Sequence, residues 1–88
     1  MAVSSHDVRD FVMQALTIMQ VDLSDIDEDG TLGPAGADLD SLMLAELVVR
    51  VEEQYDIKFT SDQMEMMGAL TVREFCDLAV EIEHVART

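Results

Sequence analysis

Residues 41–55 read SLMLAELVVRVEEQY, and this stretch decides the fold. Its large apolar residues recur at spacings of three and four: Leu44, Leu47, Val48, Val51 and Tyr55. Such spacing places them on one side of an α-helix, where they form a stripe that faces a core. The sequence therefore predicts an amphipathic helix over residues 41–55.

The same periodicity predicts three further helices, over residues 5–19, 61–67 and 72–86. A possible capping box stands at the start of each of these helices: Ser4 with Asp7, Thr60 with Gln63, and Thr71 with Glu74. In a capping box, the side chain of each of two residues three positions apart accepts a hydrogen bond from the backbone N–H of the other. Gly68 is expected to end the short segment. Residues 20–40 lack the periodicity and are predicted to form a long loop.

No strand-length alternation and no hairpin signal competes with this pattern. The predicted fold class is therefore all-α, a bundle of three long helices and one short helix with a long loop between the first and the second. The chain has 88 residues, of which 49% are hydrophobic, enough for one modest core and a single domain over residues 1–88.

Composition narrows the possible partners. Nineteen acidic residues stand against five Lys and Arg, and the formal net charge of -14 opposes binding to nucleic acid and to anionic membrane surfaces. No apolar run approaches the ~20 residues that a membrane span needs. Cys76, the single cysteine, cannot form an internal disulfide and is expected to be a buried, unreactive thiol, and the N-terminal residues do not form a secretory leader. A cytoplasmic location is expected.

Residues 25–30, DIDEDG, resemble the start of an EF-hand calcium loop, with oxygen ligands at its first, third and fifth positions, then a glycine, and Leu32 at the apolar eighth position. The twelfth position should be a bidentate Glu but is Gly36, and Pro34 stands where the second helix should begin. A solvated acidic loop is the simpler interpretation, and calcium binding stays an alternative.

Residues suited to catalysis do not cluster. His6 and His84 lie near opposite ends of the chain, no G-x-S-x-G motif is present, and Cys76 has no neighbouring His or Lys. Nothing has the spacing of a metal-ligand cluster, so no metal site is predicted. The chain is therefore not expected to be an enzyme.

The remaining motif is residues 38–42, DLDSL, where the loop meets the predicted second helix. Asp40 or Ser41 could serve simply as an N-cap that accepts a backbone hydrogen bond. A serine hydroxyl at a helix N-terminus is also a favourable place for an attached phosphate, since backbone N–H groups and the helix dipole favour negative charge there.

Four stretches make the chain resemble the acyl carrier protein family over nearly its whole length: residues 40–42 (DSL), 45–48 (AELV), 52–57 (EEQYDI) and 70–72 (LTV). The resemblance implies that Ser41 carries 4′-phosphopantetheine through a phosphodiester bond, and that the terminal thiol holds an acyl group as a thioester. It implies that Asp40 helps to position Ser41 for a phosphopantetheinyl transferase. It also implies a carrier without catalytic activity of its own.

The resemblance further implies a docking surface on the outward face of the second helix, with an apolar patch of Leu42, Ala45 and Val49 and an acidic rim of Glu46, Glu52 and Glu53. Its partners would be an acyltransferase or acyl ligase and a ketosynthase or other pathway enzyme with a basic surface, visited by a monomeric carrier. Four further residues are hypothesised to border an acyl cleft between the second and third helices: Leu47, Phe59, Met64 and Met67. Plain core filling is the alternative.

Several features differ from the usual fatty-acid carriers. Asp38 stands where the family commonly has Gly, and the third segment is rich in Met. Three other features favour a carrier of polyketide or other specialised biosynthesis: Leu39 before the Asp-Ser pair, a third segment lengthened by Gly68-Ala69, and four Arg to one Lys. The alternatives are an aminoacyl or peptidyl carrier of a nonribosomal pathway, a housekeeping fatty-acid carrier, a calcium binder, and a helical adaptor with no prosthetic group.

The excess of acidic residues generates a prediction about salt. Self-repulsion destabilises a chain with a net charge of -14, and added salt shortens the Debye length from ~30 Å at 0.01 M to ~8 Å at 0.15 M. We expect the melting temperature to rise as sodium or potassium chloride is added, measured by circular dichroism. A melting temperature that falls with either salt would contradict this, and a rise specific to calcium chloride would favour the calcium loop.

Overall fold

The computed structural model describes residues 3–21, 26, 29–33 and 39–87, and within them the chain is helical. The helices are α1 (Ser5–Ile18), α2 (Ser41–Tyr55), α3 (Ser61–Met66) and α4 (Val72–Arg87), with a 3-10 helix at Met67–Ala69 between α3 and α4. The all-α prediction of three long helices and one short helix is confirmed.

Each predicted capping box is present, with both of its hydrogen bonds between 2.8 and 3.2 Å: Ser4 with Asp7, Thr60 with Gln63, and Thr71 with Glu74. These boxes satisfy N–H groups that a helix start would otherwise leave unpaired. They explain why three of the four helices begin at the residue that follows the predicted cap.

The core lies where α1 packs against both α2 and α4. Its largest fully buried side chains come from all three long helices and from the segments between them: Phe75, Leu16, Leu32, Leu47 and Met67. Phe59, in the connection after α2, stacks on Phe75 of α4 with ring centroids 5.7 Å apart. In contrast, α3 contributes no buried residue to the core.

Backbone hydrogen bonds fix the described part of the long loop against the turn before α4. Three N–H groups donate across this contact: Leu32 to the carbonyl of Leu70 at 2.9 Å, Gly33 to that of Gly68 at 3.1 Å, and Val72 to that of Gly30 at 3.3 Å. We call this contact the loop–turn ladder. It carries Leu32 into the core, where it is fully buried.

The sequence predicted that Gly68 would end the short helical segment, but it does not. The α-helix ends at Met66, and the chain continues as a 3-10 helix through Gly68 to Ala69. The tighter 3-10 winding presents the Gly68 carbonyl to Gly33, and a Cβ added at Gly33 would lie 2.6 Å from that oxygen. Close approach of the two backbones is therefore the role of glycine at position 33.

The acidic loop is described only in part, because Asp25, Asp27 and Glu28 lie outside the described residues. Asp29 forms an ion pair with Arg73 at 3.2 Å, and Leu32 belongs to the core. Among the described residues, no group of three or more His, Cys, Asp or Glu side chains could hold a metal ion. Within the same residues, no helix has the length and apolar character needed to cross a membrane.

Cys76 lies in the core on α4 with 2% of its surface exposed, so the predicted burial is confirmed. Burial and, to a smaller extent, the charge of Asp77 raise the pKa of its thiol, and Arg9 opposes them, so that the pKa moves from 9.0 to about 11. The reactive thiolate is therefore scarce near neutral pH.

This raised pKa predicts a slow and steeply pH-dependent reaction of Cys76 with iodoacetamide. Because only the thiolate reacts, the rate in the folded protein should climb about tenfold per pH unit and still be rising at pH 10. The unfolded chain in urea should level off near its ordinary pKa of 9.0. Alkylation is followed by intact mass, with Cys76→Ala as the blank and circular dichroism to verify folding. A plateau near pH 9 in the folded protein would refute the prediction.

Candidate functional site

Asp40 and Ser41 have different roles at the start of α2. Asp40 is the N-cap in an extended conformation, and its carboxylate Oδ1 accepts the N–H of Met43 at 2.8 Å. Its carbonyl accepts the N–H of Leu44 at 2.9 Å, the first hydrogen bond of the helix. Ser41 is the first helical residue and is exposed. Since Asp40 is the cap, the helix does not need the Ser41 hydroxyl to begin.

The surroundings of Ser41 suit a phosphodiester. The hydroxyl stands at the positive end of the α2 dipole, and the first turn of α2 holds no acidic residue that would repel a phosphate. The carboxylate of the preceding residue, Asp40, already accepts a backbone N–H. These residues fit the phosphate of a 4′-phosphopantetheine group on Ser41.

A groove of about 510 Å³ opens directly beside Ser41, between α2 on one side and α3 with the 3-10 helix on the other. We call it the Ser41 groove. Its walls are mainly apolar and include Asp40, Ser41 and Glu65 as polar members: Leu39, Asp40, Ser41, Leu44, Ala45, Val48, Met64, Glu65, Met67 and Gly68. An apolar chain linked to Ser41 could therefore lie against the protein here.

Two of the four residues hypothesised to border an acyl cleft line this groove, namely Met64 and Met67. Leu47 and Phe59 are buried in the core, with 1% and 7% of their surface exposed, and are not among its lining residues. Leu44 and Val48, four residues apart on α2, occupy the position expected of Leu47. Sequence spacing assigned all three to one apolar stripe, and only helix packing separates the groove side from the core side.

The outward face of α2 exposes apolar side chains as predicted. Leu42 is 82% exposed and Val49 is 45% exposed. The two residues are seven positions apart on the same face of the helix, and Ala45 is exposed between them. Glu46 and Glu53 are exposed on the same face. Glu46 lies 3.6 Å from Arg50, so part of its charge is balanced within the helix.

Glu52 differs from the other predicted rim residues. It is only partly exposed, and its carboxylate Oε2 accepts the backbone N–H of Phe59 at 2.8 Å. The bond spans seven residues and ties the end of α2 to the connection that leads to α3. Glu52 therefore has an internal structural role that the amphipathic pattern could not reveal.

Sequence reasoning missed three lining residues of the Ser41 groove outside α2, namely Glu65 on α3 and the two described next, Leu39 and Gly68. Leu39 is buried (3% exposed), and its N–H donates to the carbonyl of Leu32 at 3.0 Å. Gly68 lines the groove and is held there by the loop–turn ladder, in which its carbonyl accepts the Gly33 N–H. Both positions depend on backbone contacts between segments far apart in the chain, for which the sequence carries no periodic signal.

Comparison with known proteins agrees with this geometry. The model of the family described as phosphopantetheine attachment site matches residues 9–79, which span most of α1, the loop, α2, α3 and half of α4. Members of this family carry covalently attached 4′-phosphopantetheine. Comparison with curated proteins finds no match, and comparison with solved structures finds none.

The capping role of Asp40 generates a prediction with a built-in control. Asp40→Ala removes the hydrogen bond to Met43 and should lower the free energy of unfolding by about 0.5–2 kcal/mol. Asp40→Asn should keep most of that stability, because Asn is as good an N-cap as Asp. Urea unfolding of the three proteins measures the difference. Equal losses in both variants would show that the charge of Asp40, not its capping bond, stabilises α2.

Proposed function

The chain belongs to the phosphopantetheine attachment-site family, and from this premise we propose that it is an acyl carrier protein whose Ser41 bears the phosphopantetheine arm. The observation that carries the proposal is the placement of Ser41. It is exposed, it is the first residue of α2, and it lies beside an apolar groove. Its hydroxyl is not needed as a helix cap, because Asp40 is the cap. When bound, the arm supplies the thiol on which an acyl group is held as a thioester.

The residues around Ser41 present and shelter the cargo without making or breaking bonds. Asp40 fixes the start of α2 and so sets the direction of the Ser41 hydroxyl for a phosphopantetheinyl transferase. Met64 and Leu44 offer an apolar surface to an acyl chain, and the buried side chains of Val48 and Met67 lie behind it. Flexible Met side chains suit a surface that must accept chains of different shape.

Partner enzymes dock, in this proposal, on the outward face of α2. Leu42 and Val49 supply exposed apolar contacts, and Glu46 and Glu53 supply negative charge around them. Charge complementarity to a basic surface speeds encounter and leaves each contact sensitive to salt, as a carrier that visits several enzymes requires. Such partners include an acyltransferase or acyl ligase and a ketosynthase.

We assign the carrier to polyketide or other specialised biosynthesis, acting as a cytoplasmic monomer. Three features support this assignment: Leu39 before the Asp-Ser pair, the lengthened third segment, and the excess of Arg over Lys. A nonribosomal aminoacyl or peptidyl carrier uses the same attachment chemistry, but the Gly-Gly-x-Ser pattern typical of such carriers is missing around Ser41. Loading assays with the enzymes of each pathway distinguish these classes.

Modification of purified protein tests the attachment residue. Coenzyme A and a broad-specificity phosphopantetheinyl transferase should add one phosphopantetheine to the wild type, mapped to Ser41 by peptide mass, and none to Ser41→Ala. The free energy of unfolding of Ser41→Ala should stay within about 0.5 kcal/mol of wild type, since the cap is on Asp40.

Ser61→Ala is the matched control for this experiment. Ser61 is also exposed and is also the first residue of a helix, with its own cap on Thr60. The control should be modified like wild type if the DSL motif and its groove direct the transferase. A folded wild type that gains no adduct, or an adduct that persists in Ser41→Ala, would refute the proposal.

A further inference from the structure

We infer that the second half of α4 and the connection after α2 form a second docking surface, which takes an amphipathic helix of a partner enzyme with one apolar side and basic edges. The inference rests on the proposed function, since the partner is an enzyme that acts on the cargo of Ser41. It adds to that function an interaction surface at the far end of α2 from Ser41.

A groove of about 560 Å³ lies between the second half of α4 and the connection that follows α2. We call it the α4 groove. Ile57 lines it from the connection, and Leu78, Ile82 and Val85 line it from α4. The three residues of α4 recur at spacings of four and three, so they form one apolar stripe along the helix.

The stripe is accessible because α1 packs on the first half of α4. The Ser5 hydroxyl, at the start of α1, donates to the carboxylate of Asp77. The part of α4 after Asp77 therefore extends past the start of α1. Within it Leu78 and Ile82 are partly buried, and Val85 is 65% exposed. Apolar surface of this kind is stabilised when a partner removes it from water.

The length and spacing of the stripe suit a helix as the occupant. Leu78 and Val85 are seven positions apart on α4, which is about 10 Å at ~1.5 Å per residue. Two turns of a partner helix have the same length. Apolar residues three or four positions apart on such a helix would meet the stripe, as in other complexes where a helix lies in a groove.

Charges at the groove favour basic edges on that helix. Asp56, which caps the end of α2, and Glu81 on α4 are exposed lining residues, and Glu53 is exposed in an adjoining pocket. Lys58 is the one basic side chain among the lining residues that the structure describes. Three carboxylates near one ammonium group attract Lys and Arg and repel an acidic segment.

The α4 groove is continuous with the outward face of α2. A smaller pocket contains Val49 of that face and shares Asp56, Ile57 and Lys58 with the α4 groove. An enzyme that docks on the outward face of α2 can therefore also place a helix in the α4 groove.

A helix in the α4 groove leaves Ser41 accessible. Asp56 and Ile57 directly follow the last residue of α2, whereas Ser41 is its first residue. The 15 residues of α2 span about 22 Å at ~1.5 Å per residue. The partner thus holds the carrier at one end of α2 while the arm on Ser41 extends from the other end.

The test uses a labelled helical peptide made only of Leu and Lys, with its leucines on one side. A peptide of the same composition in scrambled order is its control, because it measures the attraction of any cationic peptide to a chain with a net charge of -14. Fluorescence anisotropy gives the Kd for the purified chain, and amide NMR shifts map the contact.

Val85→Ser is the test variant and Ile18→Ser is the matched control. Ile18 is also 65% exposed, is the last residue of α1, and does not line the α4 groove. Neither substitution changes the net charge, so the long-range attraction of the peptide stays the same. Circular dichroism verifies folding, which substitutions at such exposed positions should preserve.

In wild type, we expect the amphipathic peptide to bind several-fold more tightly than the scrambled one and to shift the amide signals of Lys58, Ile82 and Val85. Val85→Ser should raise the Kd about fivefold, because an apolar contact in the groove is lost. Ile18→Ser should change the Kd less than about twofold.

Four results would each overturn the inference. Equal binding of the two peptides would mean that net charge alone attracts them, and shifts confined to Leu42 and Val49 would place the peptide on the outward face of α2. Equal losses in Val85→Ser and Ile18→Ser would mean that the groove has no special role. A wild-type dimer in sedimentation that dissociates in Val85→Ser would show that a second copy fills the groove.

These results are separable from failure of the proposed function. Attachment of phosphopantetheine to Ser41 does not involve the α4 groove, so Val85→Ser should be modified like wild type. A wild type that cannot be modified at Ser41 refutes the carrier assignment. A wild type that is modified but fails the peptide test refutes only the second docking surface.

Discussion

The loop–turn ladder is the contact on which the rest of the architecture depends. It joins residues 30–33 to residues 68–72, which are far apart in sequence, and all of its donors and acceptors are backbone groups. The ladder holds Leu32 in the core. Leu39 is held next to it, because the Leu39 N–H donates to the Leu32 carbonyl. Because Leu39 is fixed in this way, the position of the next residue, Asp40, is fixed as well. The position of Ser41 relative to the groove therefore depends on these backbone hydrogen bonds together with the Asp40 side chain that caps α2.

Two kinds of carboxylate serve two different purposes in this chain. Some form specific internal bonds: Asp40 caps α2, Glu52 holds Phe59, and Asp7 and Glu74 complete capping boxes. Others, such as Glu46 and Glu53, are exposed and contribute to the long-range field of a chain with a net charge of -14. The first kind stabilises local structure, whereas the second adds to the mutual repulsion that a high net charge brings. Under the function proposed above, the same exposed charges would attract enzymes with basic surfaces.

Local signals predicted the helices well, and contacts between distant segments account for what they missed. Capping residues and apolar periodicity placed the starts of α1, α3 and α4 correctly, because helix initiation depends on residues within one turn. The interpretation of Gly68 as a helix stop was wrong, since the chain continues through it as a 3-10 helix whose Gly68 carbonyl accepts the Gly33 N–H from a distant segment. Leu47, hypothesised to border a cleft, packs in the core instead, and Leu44 and Val48 line the groove. A helical stripe shows which residues face inward, but not which neighbour they meet.

By itself, the sequence determined the all-α class, the amphipathic helix over residues 41–55, the exposed serine at its first position and the strongly acidic surface. Each of these depends on residue type and on spacing within a few positions, which is the range over which helix propensity, capping and charge act. Only the tertiary structure decided that a groove lies beside Ser41, that Glu52 bonds Phe59, and that glycines at positions 33 and 68 meet. Those features arise from close packing of segments brought together by the whole fold, and no local pattern in the chain encodes that proximity.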